Sequence, residues 1–252
     1  MCLIVWAYEQ HPEYRLILAA NRDEFYERPT TPVQRWPEQP GTLAGRDLRA
    51  GGTWMGVGPD QRWAALTNVR DPSAHKPAVP SRGGLVADYL LHSPSPADHA
   101  QAMKAIAPRY EGFNLLVADR SEVRYVSSVA PSEVLSPGVY GLSNATLNTP
   151  WPKVTRAKQQ LHSTLQSSGG LLEDLFTLLQ DTTQAADEDL PATGMGLKWE
   201  RRLSPIFISS PNYGTRASTV LLMRHDGGGV LYEQTYDAFH TVITRQRFEL
   251  PC

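Results

Sequence analysis

The chain opens Cys2-Leu3-Ile4-Val5-Trp6-Ala7-Tyr8, breaks through Glu9-Gln10-His11-Pro12-Glu13, and resumes as Tyr14-Arg15-Leu16-Ile17-Leu18-Ala19-Ala20, which runs straight into Asn21-Arg22-Asp23-Glu24. Two short apolar runs with β-branched and aromatic members, parted by a polar segment holding a proline, predict a hairpin with both faces partly buried. Thr30 to Gly45 carries Pro32, Pro37 and Pro40 without periodicity and reads as a long surface loop of the kind that often serves function. Thr53 to Val57 and Arg62 to Val69 read as strands. Leu85, Val86, Tyr89 and Leu90 share a helical face, and Ser95-Pro96-Ala97-Asp98 starts a helix that runs to about Ala107. Phe113 to Asp119 and Glu122 to Ser128 form a second hairpin pattern, and Val139 to Leu142 a short strand. Val154, Ala157, Leu161 and Leu165 recur at helical spacing, as do Leu171, Leu172, Leu175, Phe176 and Leu179 after Gly169-Gly170. Ile206 to Ser209, Thr219 to Met223, Val230 to Tyr236 and Thr241 to Phe248 are the closing strands, with Asp226-Gly227-Gly228-Gly229 as a turn. Strand and helix blocks that alternate in this way predict an α+β fold with largely antiparallel sheets, in a single domain over residues 1–252.

Composition narrows the function. Lys plus Arg number 24 and Asp plus Glu 26, a net charge of −2, which leaves no basic footprint for nucleic acid. With 41% hydrophobic and 20% charged residues the chain is globular. Its longest apolar stretches, such as Leu3 to Ala7, fall far below the ~18 residues of a transmembrane helix, so no integral membrane segment is expected. Polar residues after Tyr8 interrupt any secretory leader. Two cysteines, Cys2 and Cys252, make no disulfide scaffold and point to reduced thiols in the cytoplasm.

Cys2 is the most informative position. Removal of Met1 would leave a cysteine with both a thiol and a free α-amine. That amine titrates at roughly 7.7–8.0 and accepts a proton near neutral pH, an arrangement that activates a nucleophile without a histidine. If the first two strands pair, Asn21-Arg22-Asp23-Glu24 ends near Cys2, where a guanidinium would favour thiolate and a carboxylate would hold the ammonium or the arginine. Asn68 and Asn144 each end an apolar run, where a side-chain amide can donate to an oxyanion. Arg216 precedes an apolar strand and suits a carboxylate. Each also has a plainer reading: a small apolar residue of a buried strand for Cys2, a solvated turn for the tetrapeptide, Asx turns for the asparagines and a structural role for Arg216. The seven histidines lack the spacing of a metal site, and no dinucleotide, phosphate-loop or covalent-haem motif occurs, so neither metal nor cofactor is expected.

Met1-Cys2-Leu3, Ala20-Asn21-Arg22-Asp23-Glu24, Gly51-Gly52-Thr53-Trp54-Met55-Gly56, Leu66-Thr67-Asn68-Val69-Arg70, Ser81-Arg82-Gly83, Gly141-Leu142-Ser143-Asn144 and Tyr213-Gly214-Thr215-Arg216-Ala217-Ser218-Thr219-Val220, in this order, resemble the NRDE family, named for its Asn-Arg-Asp-Glu tetrapeptide. This is the family of the transport and Golgi organisation proteins. The family in turn resembles the N-terminal-nucleophile hydrolases, and most closely the cysteine branch that cleaves penicillin V and conjugated bile acids. The resemblance implies a four-layer αββα sandwich with two mainly antiparallel sheets. It implies Cys2 as nucleophile, Arg22 and Asp23 as its supports, Asn68 and Asn144 at the oxyanion site and Arg216 completing the set, with Asn21, Thr53 and Trp54 binding substrate. In the acylase branch two residues separate the arginine from the aspartate. Here they are adjacent, and adjacent strand residues face opposite ways, so one of the pair takes a different role.

Two functions follow from that resemblance. One is a hydrolase of a carbon–nitrogen amide or an acyl thioester, acting on a small-molecule substrate through an acyl-enzyme. The other is a non-catalytic carrier of a hydrophobic ligand such as haem or an acyl lipid, with Trp36, Trp54, Trp63 and the proline-rich loop lining its pocket. The sequence leaves the oligomeric state open.

Overall fold

The computed structural model describes residues 3–74, 79–167 and 169–251, so Cys2 lies outside the described residues. In chain order the strands are β1 (Leu3–Tyr8), β2 (Tyr14–Phe25), β3 (Thr30–Trp36), β4 (Gln39–Asp47), β5 (Met55–Val57), β6 (Trp63–Asn68), β7 (Phe113–Ala118), β8 (Val123–Ser127), β9 (Glu133–Val134), β10 (Gly138–Leu142), β11 (Tyr213–Arg224), β12 (Gly229–Tyr236) and β13 (Val242–Leu250). The α-helices are α1 (Gly83–His92), α2 (Pro96–Ile106), α3 (Pro152–Gln166), α4 (Leu171–Leu179) and α5 (Leu197–Leu203). The fold is α+β with two antiparallel sheets, as the alternating blocks predict. The chain divides into two compact units, one of Met1–Glu27 with Pro137–Cys252 and the other of Arg28–Ser136.

The first unit holds a six-stranded sheet in the order β10-β1-β2-β11-β12-β13. Alternation along β1 and β2 sends Leu3, Val5, Ala7, Ile17 and Ala19 to one face. There they meet Val154, Ala157 and Leu161 of α3 and Leu175, Leu178 and Leu179 of α4, the positions whose helical spacing the sequence displays. The hairpin register runs from Tyr8 opposite Leu16 to Leu3 opposite Asn21. Each large apolar side chain buried here contributes about 1.5–3 kcal/mol relative to an exposed one, and a one-residue slip would turn every one of them to the wrong face.

The second unit holds a seven-stranded sheet in the order β3-β4-β5-β6-β7-β8-β9. Leu66, Leu115, Val117 and Val126 of this sheet pack on Leu85, Val86, Tyr89 and Leu90 of α1 and on Met103 of α2. Ser95 caps α2 as expected, its hydroxyl accepting from the Asp98 amide at 3.0 Å with Pro96 at the first position. Among the described residues no helix is long and apolar enough to cross a membrane.

Three expectations need correction. Thr30 to Gly45 is not a loop but most of the β3–β4 hairpin. Pro32 is tolerated because β3 is an edge strand, where a missing N–H need not break a ladder, and the pairing slips between Thr31 and Gln34 around it; Pro37 lies in the turn between the strands, and Pro40 precedes Leu43 and Ala44, the residues of β4 that pair with β5. Ile206 to Ser209 is not a strand. Ile206, Phe207 and Ile208 are buried as an apolar run should be, but their backbone groups pair one at a time with Asn21, Asp181 and Thr215. The tetrapeptide does not follow the second strand: β2 continues through it to Phe25.

The β3–β4 hairpin is tied at its base by Arg28, whose Nε and Nη2 donate to Asp47 Oδ2 at 3.0 and 2.6 Å. Asp47 Oδ1 accepts from the amides of Arg49 and Ala50. Burial pushes this carboxyl up, but the Arg28 hydrogen bonds and the two amides outweigh it and leave its pKa below the ordinary value. A depressed folded pKa adds stability that is present above the unfolded value of about 3.9 and is lost as pH falls through the folded pKa. Asp47→Asn is therefore expected to lower the unfolding free energy by about 1.5–3 kcal/mol at pH 7. The deficit should shrink as urea titrations are repeated below pH 4, and a deficit independent of pH would contradict this account.

Candidate active site

Four of the expected site residues converge on one end of the six-stranded sheet. β2 pairs with β1 up to Leu3 opposite Asn21, and Arg22 follows immediately. On the other side of β1, β10 pairs up to Leu142 opposite Ile4, and Ser143 and Asn144, both buried, follow. β11 runs beside β2 and bulges where Thr215 faces Asp23 and Ala217 faces Arg22, which puts Arg216 at the bulge. Arg22, Asp23, Asn144 and Arg216 thus lie at the end of the sheet where β1 begins, one residue after Cys2 in the chain.

Alternation splits the tetrapeptide between two faces. Asn21 and Asp23 continue the row of Ile17 and Ala19, on the side of α3 and α4. The Asn21 side chain is fully buried, and its Nδ2 donates to Leu179 O at 2.8 Å and to Ile206 O at 2.9 Å. Its Oδ1 accepts from the Ser218 hydroxyl at 2.7 Å, and Ser218 Oγ accepts from the Tyr236 hydroxyl at 3.1 Å. Asp23 Oδ1 accepts from Thr215 Oγ1 at 2.6 Å, and Thr215 Oγ1 accepts from the Ile208 amide at 2.9 Å. These two residues staple the segment after α5 and the end of α4 to the sheet. The Asn21 amide, expected to bind substrate, is taken up by protein partners.

Arg22 and Glu24 occupy the opposite face, that of Ala20 and its partner Ile4. Arg22 is only 5% exposed, with Nη2 4.0 Å from the Glu24 carboxylate. A cation buried this deeply requires compensation, so the solvated-turn reading fails. Arg216 Nη1 donates to Phe25 O at 3.0 Å. Burial lowers the Arg216 pKa, and the charges of Glu24 and Tyr26 oppose that effect. The Tyr26 hydroxyl contacts His240 Nε2 at 3.0 Å, and burial raises its pKa. Tyr26 lies over Gly214, where a Cβ would also come within 2.6 Å of Ile208 O, so the glycine is required by close approach.

The remaining candidates belong to the second unit. Thr53 is buried, with Oγ1 donating to Met55 O at 3.1 Å. Trp54 O accepts from the Leu66 amide at 2.9 Å, and the Trp54 ring lies against Gly45. Asn68 closes β6 opposite Phe113. Trp36 sits in a small core cluster with Ala44 and Ala87, its Nε1 donating to Ala44 O, and Trp54 and Trp63 are buried as well. Among the described residues no group of three or more His, Cys, Asp or Glu stands where it could hold a metal ion.

Sequence reasoning singled out Arg216 but passed over Thr215, Ser218 and Tyr236. The first two lie in the same quoted segment as Arg216, and the available signal was small hydroxyls within an apolar strand. Tyr236 gave no signal.

Residues 1–238 match the family described as Transport and Golgi organisation 2. The chain is 36% identical to the Transport and Golgi organization protein 2 homolog of Bos taurus, over 90% of each chain. It is 34% identical to the Homo sapiens homolog over 90% of each, and 27% identical to the Drosophila melanogaster protein over 93% of this chain and 92% of that one. Among solved structures it is similar to a Caenorhabditis elegans N-acylethanolamine-hydrolyzing acid amidase ortholog, with a TM-score of 0.52 at 13% identity, over 88% of this chain and 92% of that one. The likeness to the fold of the N-terminal-nucleophile hydrolases, implied by the tetrapeptide and its companion motifs, therefore holds.

Asn21→Leu keeps the volume but strips hydrogen bonds from Leu179 O, Ile206 O and Ser218 Oγ. It should destabilise the protein by about 3 kcal/mol or more, since each buried unpaired group costs roughly 1–3 kcal/mol. Urea denaturation measures this, and a loss under about 0.5 kcal/mol, the range of an ordinary surface substitution, would mean that the network carries little.

Proposed function

The chain belongs to the Transport and Golgi organisation 2 family, and from that premise we propose that it is an N-terminal cysteine hydrolase that cleaves a carbon–nitrogen amide or an acyl thioester through an acyl-enzyme on Cys2. The observation that carries this reading is the buried Arg22, set on the face of β2 opposite Asn21 and Asp23 at the end where β1 begins. A buried guanidinium near a thiol holds it as thiolate at neutral pH. The amidase that shares the fold hydrolyses N-acylethanolamines, by its name, which supports an amide or related acyl bond as the target.

With Met1 removed, the Cys2 thiolate attacks the carbonyl carbon and the α-amine carries the thiol proton. The C–N bond breaks as that proton passes to the leaving amine, which departs neutral and leaves a thioester on Sγ. The α-amine then takes a proton from water, hydroxide adds to the thioester, and the carboxylic acid leaves as Sγ regains its charge. A thioester substrate follows the same path with a thiol as leaving group. Asn144, at the end of β10, serves as an oxyanion donor. Arg216 binds a carboxylate on the substrate or holds the backbone at the end of β2. Asn21 and Asp23 are positioning residues. The cytoplasm keeps such a thiol reduced.

The deciding experiment is an intact mass of protein purified without an N-terminal tag, alone and after exposure to a panel of acyl amides and thioesters. The expected result is loss of Met1 and an acyl adduct that Cys2→Ala does not form. Retained Met1 with no adduct would end the hydrolase reading and favour the hydrophobic-ligand carrier. A second outcome concerns Arg22. Without the guanidinium the thiol pKa rises, so Arg22→Gln should shift the pH profile of adduct formation to higher pH and Arg22→Lys should shift it less. Profiles unchanged in both variants would remove Arg22 from the chemistry.

A further inference from the structure

Among the described residues the helix layer of the six-stranded sheet is one helix short. Strands lie about 4.8 Å apart and packed helices about 10 Å apart, so one helix covers roughly two strands. α3 packs on β10 and β1, and α4 packs on β2 and β11. The remaining pair, β12 and β13, has a cleft of about 460 Å³ on that side instead of a helix. Leu172 and Phe176 of α4 form one wall, Tyr232 and Gln234 the floor, and Arg245 and Arg247 the outer edge. The register sets Gln234 beside Arg245 and Tyr232 beside Arg247, and Tyr232 packs partly against the core beneath α4, so all four belong to the helix side of the sheet.

We propose that this slot docks an amphipathic helix of a partner protein, apolar along the edge that meets α4 and acidic along the edge that meets β13. The spacing supports a helix. Leu172 and Phe176 are one turn apart, about 6 Å along α4, and present the i, i+4 ridge against which helices pack. Arg245 and Arg247 stand two residues apart on one strand face, about 6.7 Å, close to the ~6 Å rise between acids at i and i+4 of a helix lying along the strand. Charge supports the acidic edge at β13, since of the two carboxylates that line the cleft Glu173 stands on the α4 side and Glu233 is only 1% exposed. Arg247 Nε donates to the Tyr232 hydroxyl at 3.0 Å and its guanidinium pairs with Glu249. Arg245 makes no hydrogen bond or ion pair among the described residues and is exposed.

The probe is a fluorescein-labelled 16-residue synthetic helix with leucines along one edge and glutamates at i, i+4 along the next, followed by anisotropy against the full chain. Micromolar binding is expected, weakened by salt and reduced at least about tenfold by Arg245→Glu or Phe176→Ala. The same peptide with lysine for glutamate should bind only the Arg245→Glu, Arg247→Glu double variant, and that rescue separates lost charge from lost fold. Absence of binding, or an affinity indifferent to Arg245→Glu, would overturn the proposal. So would concentration-dependent dimerisation abolished by Arg245→Glu, which would give the slot to a second copy. Displacement of the peptide by a simple fatty carboxylate with equal sensitivity to Arg245 would give it to a small amphiphile and overturn the proposal likewise.

Discussion

The structure of the site depends on two polar side chains buried inside a strand. β2 runs for twelve residues through the middle of its sheet, and the tetrapeptide is its last four residues but for Phe25. An amide and a carboxylate cannot be buried among apolar neighbours without partners. Asn21 and Asp23 therefore demand matching groups at set places, and Ser218 and Thr215 of β11 supply them. Because side chains alternate with a period of two, these pairs also pin the register of β2 against β11. A bulge is then needed for β11 to present Thr215 to Asp23 while Ala217 stays opposite Arg22, and Arg216 is the residue left at the bulge. One satisfaction requirement thus places a candidate catalytic arginine without any contact of its own having to do so.

The same alternation divides labour within the motif. Asn21 and Asp23 face the helices and close a buried network. Arg22 and Glu24 face the other way, Arg22 buried with its guanidinium 4.0 Å from the Glu24 carboxylate. The adjacency of arginine and aspartate, which departs from the two-residue separation of the acylase branch, is resolved by that division. Asp23 accepts from Thr215, and Arg22 lies on the side of the sheet shared with Ile4.

Much of this was legible beforehand. The 3.6-residue spacing of Val154, Ala157 and Leu161 and the Ser95-Pro96 start signal gave their helices because those patterns reflect one buried stripe and one cap. The tetrapeptide misled because a run of four polar residues reads as solvated, and nothing local shows that Ser218 and Thr215 will meet it. Pro32 misled for a related reason: proline argues against a central strand but not against an edge, and edge position is a property of the assembled sheet. Ile206 to Ile208 showed burial correctly and secondary structure wrongly, since an apolar run says where a segment goes and not how its backbone is paired. Residue type singled out Arg22, Asn144 and Arg216, which lie at one end of the six-stranded sheet, whereas Tyr236 could emerge only from contact.

Sequence distance adds a kinetic consequence. The bonds that satisfy Asn21 and Asp23 join residues 197 and 192 positions apart. The whole second unit, Arg28–Ser136, is threaded between β2 and the strands that complete its network. Until β11 docks, the end of β2 carries unpaired polar groups that oppose its burial, so the motif is among the last parts of the first unit to become ordered. Non-local strand pairing of this kind is intrinsically slow, because loop-closure entropy must be lost before the contacts form.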